Sequence, residues 1–192
     1  MIPIALKKWL GIPHSCKAPN SIFVGLIGGV GDLISAAPSI AALKIKFPDA
    51  EISFGVGDGI FFNTIKNDPN IDHFETNFFY DVWKKRARRK TYREKYRKHD
   101  QVFLLDNGTQ DWWKPKKHLL DIYAEKCEVS LKERRPIIYL NDSDFEEAEK
   151  RLNELGIFNS EKFLVLSPET RSKKKMKEWP YVRFLSLIQK IR

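Results

Sequence analysis

Cysteine is almost missing from this chain of 192 residues, which has only Cys16 and Cys127, far apart in sequence. With no close pairing and no metal-ligand spacing, they exclude a disulfide-stapled scaffold and a structural metal, and they point to unpaired thiols in a reducing compartment. Long apolar runs are missing too. No stretch approaches the ~20 residues needed to cross a bilayer. Met1–Leu10 starts apolar, but Lys7 and Lys8 interrupt it and no small-residue cleavage site follows, so neither a membrane span nor a secretory leader is expected. That segment reads as a loose extension or a short amphipathic element on a surface. The familiar nucleotide fingerprints are also lacking. Counted from Gly29, G-x-G-x-x-G needs a small residue where Ile34 stands, and a P-loop needs a Lys-Ser/Thr pair that is absent. This turn therefore indicates neither NAD nor ATP.

What is present is globular. A hydrophobic content of 42% with 12% aromatics suits a folded chain long enough to bury a real core, as one large domain or one and a half. The formal net charge is +9, and its distribution is uneven. Residues 84–98 hold ten Lys/Arg against the single acid Glu94, while the other 24 basic and 24 acidic residues balance. A solvated helix face is the common origin of such a run. At this density it calls for an acidic partner: nucleic acid, anionic lipid headgroups or a phosphorylated glycolipid.

The chain is organised around Ile22–Asp32, I-F-V-G-L-I-G-G-V-G-D. The apolar run Ile22–Ile27 predicts a strand buried on both faces. Gly28, Gly29 and Gly31 then predict a turn in which the backbone can approach a ligand closely. Leu33, Ala36, Ala37, Ile40, Ala41 and Leu43 follow at helical spacing, which places Asp32 at or near the N-cap of a helix. Capping accounts for an Asp there. Its position at the carboxyl end of a parallel strand also faces the crevice where open α/β sheets bind ligands.

Further strands are expected at Glu51–Val56, Ile71–Glu75 and Gln101–Leu105, with a short helix at Ile60–Lys66 and a basic helix at 84–98. Asp106 ends the Gln101–Leu105 strand and opens onto the same crevice as Asp32, although Asp106-Asn107-Gly108 is also a strong turn signal. A helix follows at His118–Val129, where His118 at the start is more often a cap than a catalyst. The helix from Asp142 carries Phe145, Ala148, Leu152 and Leu155 on one face and stops at Gly156. Lys162–Ser167 reads as a buried strand opening a new β-loop-α unit. The expected divisions are an extension over 1–20, a Rossmann-like α/β domain over 21–159 and the start of a second domain over 160–192.

Several of these stretches together resemble the bacterial heptosyltransferases, glycosyltransferase family nine. Gly31-Asp32, Pro38 and Phe47-Pro48-Asp49-Ala50 fall in register with that family's first strand, proline-containing helix and F-P-D/N-A turn. Leu26 stands where the family commonly has Arg or Lys. Asn67-Asp68-Pro69-Asn70-Ile71-Asp72, the strand ending at Asp106, the His118 helix, Arg135-Pro136 with its I-I-Y-L strand, and Lys177, Trp179 and Pro180 continue the similarity to the end of the chain.

The resemblance implies the N-terminal half of a two-domain GT-B glycosyltransferase with a truncated donor-side domain. It implies an inverting transfer of a sugar, heptose from ADP-heptose, to a lipopolysaccharide core or similar acceptor. Asp32 becomes the general base, Thr170 and Lys177 contact the donor diphosphate, and Gly29, Gly31, Asp106 and His118 border the acceptor. No metal or resident cofactor is implied, and the expected location is cytoplasmic, with peripheral contact to the inner membrane through the basic helix. The alternative from another class is a non-catalytic module that binds an anionic glycolipid or nucleic acid through residues 84–98. Nucleic acid is the less favoured partner, because no RNP sequence or zinc-finger spacing accompanies the run. A different nucleotide-sugar transferase of the same fold is a third possibility.

Overall fold

A computed structural model describes residues 18–57, 59–76, 78, 96–106, 117–158, 162–167 and 179–191. The chain divides into two compact units, one ending at Asn141 and the other starting at Asp142. The division falls before the helix that starts at Asp142, where the sequence suggests a boundary after it.

The first unit is built on four parallel strands: β1 (Ser21–Ile27), β2 (Glu51–Gly55), β3 (His73–Glu75) and β4 (Gln101–Asp106). Their order is β3-β2-β1-β4. Helix α1 (Val30–Lys46) follows β1, α2 (Ile60–Ile65) follows β2, and α3 (Leu119–Lys126) follows β4. This is the Rossmann-like parallel sheet that alternating apolar strands and helices predict.

The two faces of the sheet are packed differently. Ile22, Val24, Ile52, Phe54, Phe103 and Leu105 point to one face and meet the inward side of α1 together with Tyr123 of α3 and Cys127 at its C-cap. Complete burial pushes the Cys127 thiol up to about 12, so it stays protonated and unreactive. On the other face Phe23 stacks on Tyr96 at 4.2 Å between ring centroids and meets Phe78 at 5.5 Å. Gly25 and Gly55 lie side by side in register and form a notch for the Phe78 ring. A Cβ on Gly25 would fall 2.2 Å from Phe78 Cζ, and one on Gly55 would fall 2.6 Å from Phe78 Cγ.

His99 closes the edge of this aromatic cluster, 5.4 Å from the Phe23 ring. It is buried, and among the described residues neither ring nitrogen has a hydrogen-bond partner. Burial, helped by the charge of Lys98 and opposed by Glu75 and Asp100, holds its pKa below the ordinary 6.5. A histidine held low in the folded state binds fewer protons there than in the unfolded chain. Its contribution is complete above the unfolded value and is lost as pH falls through that value toward the folded one. Urea midpoints compared at about pH 8 and about pH 5.5 should therefore drop, and drop less in His99→Phe. An equal drop in both proteins would assign the acid sensitivity to other groups.

Helix α1 contains Pro38, which has no N–H to give the carbonyl four residues earlier. That carbonyl, on Ile34, instead accepts the N–H of Ile137 at 3.1 Å. The expected strand over Ile137–Leu140 does not form for this reason: its first N–H is bound to a helix and not to a sheet. Tyr139, in the same stretch, accepts a hydrogen bond from Asn70 Nδ2 at 3.1 Å, so the end of the first unit is tied to α1 and to the loop after α2.

The second unit contains α4 (Asp142–Glu154) and α5 (Tyr181–Ile191). Gly156, at φ 74°, ends α4 as expected, with Ile157 N–H reaching Leu152 O at 2.9 Å and Gly156 N–H reaching Asn153 O at 3.0 Å, the Schellman pattern. Lys162–Ser167 is not a strand. No strand among the described residues pairs with it, and Phe163, Leu164 and Val165 are exposed. Among the described residues no helix is long and apolar enough to cross a membrane.

Candidate active site

The strand order places a topological switch between β1 and β4. From β1 the chain moves through β2 to β3 on one side, then returns to put β4 on the other. In such sheets the loops leaving the two flanking strands diverge and open a crevice at their carboxyl ends. Asp32 comes from the loop after β1, and Asp106 is the last residue of β4, paired in register with Ile27. Their backbones therefore start from the two sides of the same crevice. The Asp106 side chain lies outside the described atoms.

The turn differs in detail from the expected one. Gly29 is the N-cap, in extended conformation, so Asp32 is the third residue of α1 and Gly31 the second. Asp32 Oδ2 accepts the Gly29 N–H at 2.6 Å, which satisfies a donor that the helix start leaves open. Gly31 faces open space, where a Cβ would meet no atom within 4 Å, and its carbonyl accepts a bond from Ser35 Oγ at 2.8 Å. Gly28 is the glycine that space requires. A Cβ there would meet Asp32 Cβ and Cγ at 2.5 Å and Oδ2 at 2.6 Å, so its bare backbone is what lets the carboxylate fold back over the turn.

The other oxygen of Asp32 has a distant partner. Tyr123 Oη donates to Oδ1 at 2.9 Å. Leu120, Tyr123 and Ala124 form the buried side of α3 at helical spacing, continued by Cys127 at its C-cap, and α3 packs against α1 and β4. Periodicity alone turns Tyr123 inward, and a buried phenol needs a partner. That the partner is Asp32 has no signal in the sequence.

His118 is the N-cap of α3, its Nδ1 accepting the Leu120 N–H at 3.3 Å. It is solvent-exposed, and the described contacts give it the role of a cap. Thr170, Lys177 and most of the basic run lie outside the described residues; of that run Arg97 and Lys98 are described, and both are exposed. Among the described residues no three His, Cys, Asp or Glu gather as a metal site.

No protein-family model matches the chain, and no curated protein matches it. A similar solved structure is the crystal structure of the glycosyl transferase family 9 protein from Veillonella parvula DSM 2008, with a TM-score of 0.66 at 15% identity. The similarity covers 90% of this chain and 59% of that one. At this identity it establishes a shared fold, and the chain spans about 59% of that protein's length.

Proposed function

We propose that the chain comprises the acceptor-side domain and the start of the donor-side domain of an inverting glycosyltransferase that uses Asp32 as its general base. The observation that carries this is the carboxylate of Asp32 at the β1/β4 switch, half-buried and bound through both oxygens. An acceptor hydroxyl in the crevice attacks the anomeric carbon of a nucleotide-sugar. A carbon–oxygen bond forms to the acceptor, the bond from that carbon to the diphosphate breaks, and Asp32 takes the hydroxyl proton.

The sugar is heptose, carried by ADP-heptose, and the acceptor is a lipopolysaccharide core or a similar anionic glycan. Residues 160–192 begin the donor-side domain, where Thr170 and Lys177 stabilise the charge that develops on the leaving diphosphate. The basic residues 84–98 hold the anionic acceptor at the cytosolic face of the membrane. The glycosyltransferase fold of the similar structure supports this reading at the level of fold.

The test is a transfer assay with the full-length gene product, ADP-heptose and a purified core acceptor, following ADP release and the acceptor's mass. Acceptor-dependent ADP release with a gain of one heptose is expected, and neutralising residues 84–98 should raise KM for the acceptor. ADP release that ignores the acceptor, or transfer only from another nucleotide-sugar, would overturn the assignment of acceptor or donor.

A further inference from the structure

We infer that Tyr123 is a positioning residue for Asp32, an assignment that rests on the general-base role proposed above. Capping of α1 needs one oxygen of Asp32, and Gly29 N–H occupies it at 2.6 Å. The second oxygen is held at 2.9 Å by a hydroxyl that lies 91 residues away in sequence and is delivered by a different helix. Tyr123 has no exposed surface, so it cannot touch a substrate and must act through the carboxylate.

The geometry gives that action a definite form. A carboxylate offers about four lone-pair directions, two on each oxygen. One direction on each oxygen is taken, by donors from two separate elements, so rotation about the Cβ–Cγ bond is fixed. Gly28, with no Cβ, leaves room for this orientation against the turn. The remaining directions are then held still, and a base must keep within about 2.6–3.2 Å of the proton it removes. Errors of about 1 Å in such placement can cost on the order of a hundredfold in rate. A tyrosine that only satisfied its own hydroxyl would affect stability and leave the rate of proton removal unchanged.

The experiment is a double-mutant cycle on transfer by the full-length gene product. Tyr123→Phe keeps the ring and removes only the hydroxyl. It should lower kcat by about tenfold or more, the scale of one hydrogen bond to a charged group, with both KM values within about twofold. In an Asp32→Asn background the same change should have no further effect on kcat. Fluorotyrosine at position 123 keeps the O–H and should restore turnover, and it supplies the comparison if the Phe variant is unstable. A kcat for Tyr123→Phe within about twofold of wild type, or losses that add in the double variant, would overturn the positioning role and leave the Asp32 assignment standing. Wild-type turnover in Asp32→Asn would remove the base and this role together. Absence of transfer by the wild-type protein would remove the functional reading first.

Discussion

Asp32→Asn is expected to lower turnover by about two to four orders of magnitude, the usual contribution of a positioned base, while leaving the fold in place. The asparagine has the same shape and keeps one oxygen for the Gly29 N–H, the bond that caps α1. Its NH2 group takes the place of Oδ1, and the Tyr123 hydroxyl, which both donates and accepts, can turn to receive it. The unfolding free energy should therefore change by less than about 1 kcal/mol. Asp32→Ala removes the cap as well and should cost about 0.5–2 kcal/mol. The pair of variants separates the two roles of one residue. Turnover near wild type in a folded Asp32→Asn protein would reduce Asp32 to a cap.

Gly25→Ala should be the most damaging small substitution in the sheet, at about 1–3 kcal/mol. In a protein of this length each kcal/mol lowers Tm by roughly 2–4 °C. The new methyl would stand 2.2 Å from Phe78 Cζ and 2.8 Å from Cε1 and Cε2, a ring that is itself 2% exposed and held against Phe23 and Tyr96. Because the obstacle is one side chain, the penalty should shrink when Phe78→Leu is added, and a thermal-unfolding cycle measures that coupling. A Gly25→Ala Tm within a degree or so of wild type, on the order of what 0.5 kcal/mol produces, would mean the ring moves aside freely and the notch is not needed.

Much of the first unit is legible in the sequence because its signals are local. The apolar runs at Ile22–Ile27 and Gln101–Leu105 form strands, and the spacing of Leu33, Ala36, Ile40 and Leu43 marks the buried side of α1. The sequence places Asp32 at or near the N-cap of α1, and the cap itself is Gly29, three residues earlier. Spacing does not separate the two positions, because Asp is favoured both at the N-cap and at the third helical position, where it binds the N-cap's N–H. Ile137–Leu140 and Lys162–Ser167 carry strand-like composition, but composition states only that a segment can pair. The first gives its N–H to a helix carbonyl and the second has no described strand beside it. Tyr123 is readable as buried and not as a partner of Asp32, because a contact across 91 positions leaves no trace in the spacing of either helix. Thr170, Lys177 and the Asp106 side chain, which carry the donor and acceptor expectations, lie outside what the structure describes.

The vacancy that Pro38 leaves in α1 acts as an anchorage. A helix that kept all its internal bonds would offer the departing chain no strong acceptor on that flank; this one offers the Ile34 carbonyl, and Ile137 fills it. The departing chain is thus fixed to α1 by a backbone bond two residues from Asp32, and just beyond it to the loop after α2 by the bond between Asn70 and Tyr139. The residue that breaks the helix ladder thereby frees the acceptor that fastens the end of the first unit to its own first helix.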